Sequence, residues 1–380
     1  MRPPVVALID SELNFYHHAF RSDAVWSPIL QRIPNVTLFE PSTELDQTDA
    51  ERADAPRLRA IPSRSVVAFN GTRVMGVSMI GDAATLLEGT EHGTLTSYAA
   101  LNASPHAFVL VVQVQGELCD PGQSCLLSES IADAMEWVAD QPWIDIVSIS
   151  MGIPGNLPDH SAAHREMDRF LEASRRAHDS GKIILNSAGN YPTPTLTDYF
   201  DGPPWITSVS GFQGAPRGDD PFASRVADVV ANTTQYTASR DSRDGYGWHS
   251  GTSLSTPLVA GTLAEAMWIV RSQSSGALDV PRQAWRDALN ASSVMFDATD
   301  WSPTTPVTND TVRELTSGSL PVLYAPLQMG WGFVEAAQAS EIARRVIEND
   351  LSIPPEKADA AQFQAHRQAL REEYWGRVAR

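Results

Sequence analysis

The sequence is poor in cysteine, in cations and in long apolar runs. Only two cysteines occur in 380 residues, Cys119 and Cys125 within "CDPGQSC". Their spacing is neither a zinc knuckle nor a CxxC redox pair. They either close a tight loop as a disulfide in an oxidising compartment or remain free thiols in a reducing one. No stretch approaches the ~18 uninterrupted apolar residues of a membrane span, and the apolar run in "MRPPVVALID" is too short for a signal-peptide core. Lysine and arginine number 28 against 46 acids, for a formal charge of -18. Such acidity favours solubility and disfavours nucleic acid or an anionic membrane as partner. The length suits one main α/β domain with a substantial core.

Short β-branched runs do occur, at 5–9, 108–114, 145–150, 182–189 and 205–211. Helical patterns lie between them at 128–140 and 161–180, each opening on a serine suited to an N-cap. Strands and helices in alternation predict a mostly parallel sheet covered on both faces. In such sheets functional groups gather at the carboxyl ends of strands. Asp10 follows the first run, Ser150-Met151-Gly152 the third, and Ser187-Ala188-Gly189-Asn190 the fourth. The polar, proline-punctuated segment 40–64 reads as surface loop, 296–328 as an insertion, and the charged stretch after residue 348 as a helical appendage.

"WHSGTSLSTPLVAG" (248–261) places Ser253 at the mouth of an apolar helix, with Pro257 suited to its first turn. There the free N–H groups and the positive end of the helix dipole would stabilise an oxyanion, and Gly251 admits close backbone approach. Alone, such a serine is an N-cap. A nucleophile needs a base, and the base an orienting acid. "TEHGTLTSYAAL" supplies His92, again at a helix mouth, and "VALIDSELN" supplies Asp10 at a strand end.

The order Asp, His, Ser in these contexts resembles the subtilisin-like serine proteases, from about residue 4 to 347. "EHGTLTSYAALNA" is similar to the family's histidine segment, "GTSLSTPLVAG" to its serine segment, and "IILNSAGNYPTP" to the segment carrying its oxyanion-hole asparagine. The resemblance implies a three-layer α/β fold over 1–347, with insertions near 40–90 and 292–328, and a helical extension over 348–380. It implies a serine endopeptidase acting on peptide or protein substrates. Asp10 would orient His92, His92 would take the Ser253 proton, and Asn190 would donate to the oxyanion. Ser150, Met151, Gly152, Ser187, Ala188 and Gly189 would wall the substrate pocket, and Gln115 and Gly116 would pair with an extended peptide.

Several positions depart from the family pattern. Glu12 stands where glycine is usual, and Leu95 where a second histidine is common. Ala19 replaces a calcium-ligating aspartate, so no calcium is expected at that site and no other cofactor is implied. His17 and His18 are adjacent, so their side chains diverge, and they read as loop histidines rather than metal ligands. No prodomain precedes Asp10, which suggests a cytoplasmic protein, the alternative being a secreted mature domain. A loop over the cleft, such as the insertion at about 71–90 relative to the family, narrow specificity or a regulatory partner would then restrain activity. Two other readings use the same fold: a transpeptidase or peptide-maturation enzyme, and an inactive binding module, against which the four filled chemical positions argue.

Overall fold

Every residue of the first strand, β1 (Val5–Asp10), is buried. Successive strand side chains point to opposite faces, so Val6 and Leu8 enter one core while Val5, Ala7 and Ile9 enter another. A strand apolar on both faces belongs inside a covered sheet, and β1 takes that place in the computed structural model of the chain. The structure describes residues 1–23, 27–87, 91–114, 129–151, 162–190, 200, 202–212, 227–239, 241–274, 279–295 and 330–378.

Among the described residues, nine strands form one sheet. Its order is β2 (Thr37–Phe39), β3 (Val67–Phe69), β4 (Val74–Ser78), β5 (Phe108–Gln113), β1, β6 (Ile146–Ile149), β7 (Ile183–Ser187), β8 (Ile206–Phe212) and β9 (Val229–Asn232). Only β3 and β4 pair antiparallel; the other neighbours are parallel. The five strands expected from sequence are β1, β5, β6, β7 and β8. A separate antiparallel pair, β10 (Thr234–Ala238) and β11 (Tyr246–Ser250), leads directly into the serine segment.

Helices cover both faces, which makes three layers. On one side α4 (Glu129–Ala139) and α5 (Ala162–Asp179) bury Ile131, Met135, Val138, Met167 and Phe170. On the other, α6 (Thr252–Gln273), α7 (Arg282–Ser292) and α8 (Ala339–Glu348; capped in Asn349) contribute Val259, Leu263, Trp285 and Ile342. Helix α6 is long and apolar enough to cross a membrane, but 72% of its apolar window is buried inside the molecule, as suits a core helix. Beside it runs α3 (His92–Ala103). A Cβ on Gly261 would lie 2.2 Å from Ala100 O, so glycine lets the two helices touch backbone to backbone.

Two sequence expectations change, for segment 40–64 and for Pro257, and segment 71–90 gains a strand. Segment 40–64 contains a helix, Gln47–Arg59, capped by Asp46. Its buried face, Ala50, Asp54 and Leu58, is disguised by the carboxylate, which accepts from Tyr16 Oη (2.8 Å), Ser42 N (2.8 Å) and Ser42 Oγ (2.7 Å). Segment 71–90 contributes β4 to the sheet. Pro257 sits inside α6, five residues after its start, rather than in its first turn. The C-terminal stretch is helical as expected, Ala358–Val378, and it is docked at the amino ends of β8 and β9. Phe363 and Trp375 are buried, and Arg367 and Arg371 reach the buried Asp228. Arg371 also donates to Gly202 O (2.7 Å) and Ile206 O (2.7 Å). The insertion at 296–328 lies outside the described residues, as do the expected N-cap serines at 128 and 161.

Candidate active site

Strand β1 delivers Asp10 to the carboxyl edge of the sheet, where it is 4% exposed. One carboxylate oxygen, Oδ1, accepts from Ser11 N at 2.7 Å and lies 2.8 Å from His92 Nδ1. The other, Oδ2, accepts from the Thr96 hydroxyl at 2.8 Å. Thr96 stands four residues beyond His92 on α3, hence on the same helix face. The Gly93 N–H donates to Ser11 Oγ at 3.1 Å, fastening the mouth of α3 to the strand end.

These contacts polarise the pair. Burial pushes the Asp10 carboxyl up, but the His92 charge and the hydrogen bonds from His92, Ser11 and Thr96 outweigh it, so Asp10 titrates below its ordinary value. The Asp10 carboxylate raises the His92 imidazole above its ordinary value against the opposing effect of burial, with Glu12 and Glu91 adding to the rise. Oδ1 fixes the proton of neutral His92 on Nδ1 and leaves Nε2 as the basic nitrogen.

Ser253 is the second residue of α6 and partly exposed. Its N–H belongs to the first turn, where N–H groups lack intrahelical acceptors. Gly251 precedes the helix at φ +154°, a conformation that side chains rarely adopt. A Cβ there would lie 3.4 Å from Asn190 Nδ2. Asn190 Oδ1 accepts from Thr252 N at 2.9 Å and from Thr252 Oγ1 at 3.0 Å. With Oδ1 so engaged, Nδ2 is the donating end of the amide.

One contact explains the proline. Pro257 has no N–H for the carbonyl of Ser253, four residues earlier. Ser150 Oγ, at the end of β6, donates to that carbonyl at 3.0 Å instead. A next-door carbonyl, Leu254 O, accepts from Gln235 Nε2 of β10 at 2.9 Å. Hydrogen bonds thus join Asp10 to His92, Asn190 to Thr252 and Ser150 to Ser253. The mouths of α3 and α6 are set side by side by Leu95, Ala99 and Leu254, which form one buried cluster.

Of the expected pocket residues, Met151 packs against the α4–α5 core, and Ser187 and Ala188 are buried at the end of β7, with Ala188 N donating to Val209 O at 2.8 Å. Gly189 follows with φ +87°. Gln115, Gly116, Gly152, Cys119 and Cys125 lie outside the described residues. His17 uses both ring nitrogens: Nδ1 accepts from Ala19 N at 3.1 Å and Nε2 faces Gly245 O at 2.8 Å. Sequence reading missed Thr96, Ser11 and Thr252. The first was findable, since a threonine four residues after a helix-mouth histidine shares its face.

A model of the subtilase family matches residues 2–275. No curated protein matches. Among solved structures, a lanthipeptide protease aligns at 18% identity and TM-score 0.53, over 89% of this chain and 87% of the other. The epidermin leader peptide processing serine protease EpiP of Staphylococcus aureus aligns at 14% and 0.53, over 90% and 75%. The prenylagaramide maturation protease PagA aligns at 15% and 0.51, over 90% and 94%. At these identities the likeness is one of fold.

Proposed function

The chain belongs to the subtilase family of serine peptidases, and from that premise we propose that it is an endopeptidase whose Ser253 forms an acyl-enzyme with the substrate. The observation that carries this reading is the buried Asp10 carboxylate held against His92 Nδ1 at 2.8 Å, beside the helix mouth bearing Ser253.

In the proposed reaction, Ser253 Oγ attacks the scissile carbonyl while His92 Nε2 takes its proton. The negative charge on the former carbonyl oxygen accepts from Asn190 Nδ2 and the Ser253 N–H, aided by the α6 dipole. Collapse breaks the C–N bond, and His92 returns the proton to the departing amine. A water then gives its proton to His92 and attacks the acyl carbon, and Ser253 leaves with that proton as the acid is released. Asp10 stays ionised throughout and stabilises the imidazolium. Every step is a proton or acyl transfer among these groups, so no metal enters. Ser150, Met151 and Gly152 would line one wall of the substrate pocket, and Ser187, Ala188 and Gly189 the other, with Gln115 and Gly116 pairing along the peptide.

A second reading is maturation of a precursor peptide, by hydrolysis or by transfer of the acyl group to an amine. It is favoured by the nature of the similar structures: a lanthipeptide protease, an epidermin leader peptide processing protease and a prenylagaramide maturation protease. Peptide-library digestion read by mass spectrometry, with and without an added amine, tests both. New termini that vanish in Ser253→Ala support the peptidase; amine-capped termini indicate transfer. Intact peptides with the wild-type protein would overturn the proposal.

A further inference from the structure

Immediately before the serine segment, the β10–β11 pair carries a strip of exposed rings. Trp248 is 71% exposed, Tyr236 51% and Tyr246 38%. Trp248 is the most exposed large apolar side chain among the described residues. The register places Tyr236 opposite Trp248, with ring centroids 5.3 Å apart. Tyr236 stacks on Tyr246 at 5.7 Å with planes 20° apart, and Tyr246 meets Tyr98 of α3 edge-on at 5.7 Å. Along β11, Tyr246, Trp248 and Ser250 share one face by strand alternation, while Gly247 and His249 lie on the other. That face ends in a hydroxyl pair, Ser250 Oγ and Thr234 Oγ1, 3.1 Å apart, next to Gly251.

Cross-strand aromatic pairing helps a two-stranded sheet, which is marginal alone. Stability of the pair does not require three rings to stand in water, because tucked rings would remove more apolar area. Contiguous exposed aromatics mark interaction surfaces, where rings serve as rigid anchors.

We propose that this strip is a substrate-docking surface for aromatic or other large apolar side chains of an extended peptide, on residues flanking the scissile bond. The strip is continuous in sequence with the catalytic segment: β11 ends at Ser250, Gly251 follows, and Ser253 is the second residue of α6. The strand rise puts Trp248 on the order of 10–15 Å from the helix mouth, a span of about four extended substrate residues. The occupant is therefore the substrate chain whose cleavage Ser253 performs, and the inference rests on that reading.

The test uses full-length Ser253→Ala protein and binding rather than turnover, so its outcome is separate from that of catalysis. Two pools of synthetic twelve-residue peptides are offered, one with phenylalanine at alternate positions and one with serine there. The phenylalanine pool should be retained about tenfold better, a preference that Trp248→Ala with Tyr236→Ala abolishes and Trp248→Phe largely keeps. Thermal unfolding of each variant verifies folding, and Trp248→Gln alone replaces the double variant if that one unfolds. Equal retention of both pools, or a preference indifferent to these substitutions, overturns the proposal. So does a wild-type dimer that Trp248→Ala dissociates, because the strip would then be a self-association face. If the wild-type protein cleaves no peptide, the catalytic reading fails while pool binding still decides the strip.

Discussion

Replacing Ser150 by alanine removes one hydroxyl, the donor to the Ser253 carbonyl. Because Pro257 cannot supply an N–H, that carbonyl then depends on water. An unsatisfied buried acceptor costs roughly 1–3 kcal/mol, and partial exposure of Ser150 and Ser253 places the cost near 1 kcal/mol. With an unfolding entropy of about 2.1 cal/mol/K per residue, a chain of 380 residues loses roughly 1–2 °C of Tm per kcal/mol. The informative partner is Pro257→Ala, which restores an N–H four residues after Ser253. In that background Ser150→Ala should cost far less, with a coupling of at least about 0.5 kcal/mol. Urea unfolding of the four proteins, all carrying Ser253→Ala to suppress self-digestion, measures the cycle. Additive effects within about 0.3 kcal/mol would refute the idea that the serine hydroxyl replaces the missing helix amide.

Catalysis and stability yield further expectations. Since Asp10 raises His92 and only neutral His92 accepts a proton, kcat/KM should rise with pH through a midpoint above the ordinary histidine value of about 6.5. Asp10→Asn should move that midpoint down and reduce kcat by roughly 10⁴, and an unmoved midpoint would contradict the assignment. Asn190→Ala should lower kcat about 10²–10³-fold with little change in KM, as initial-rate kinetics would show. Arg371→Met strips Asp228 and the Gly202 and Ile206 carbonyls of a donor, so denaturation should register a loss of about 3–5 kcal/mol. Burial pushes the Asp228 carboxyl up, but Arg367 and Arg371 bring it down to about 2. A depressed carboxylate stabilises fully above its unfolded value near 4 and progressively less as pH falls toward 2. Acid titration of Tm should therefore show a smaller loss over that window in Asp228→Asn.

What the sequence disclosed follows from where periodicity and chemistry coincide. Central strands are apolar on both faces, so runs such as "VVALI" stand out, and the groups at their ends, Asp10 and Asn190, are marked by position. The helix mouths at His92 and Ser253 were equally visible through small residues and glycine. The helix Gln47–Arg59 was hidden because its buried face holds Asp54, whose partners Tyr16 and Ser42 are remote in sequence. The docking of the last helix was hidden for the same reason: its anchors, Arg367 and Arg371, read as solvent-facing charges until Asp228 is brought to them by the fold. The Ser150 hydroxyl read as pocket wall, since its bond to Ser253 spans 103 positions.

The most direct measurement is mass spectrometry of the protein after treatment with a fluorophosphonate. A single adduct on the peptide containing Ser253, absent in Ser253→Ala and strongly slowed in His92→Ala, is the expected result. An unlabelled wild-type protein, or an adduct on another serine that persists in Ser253→Ala, would contradict the assignment of Ser253 as the nucleophile.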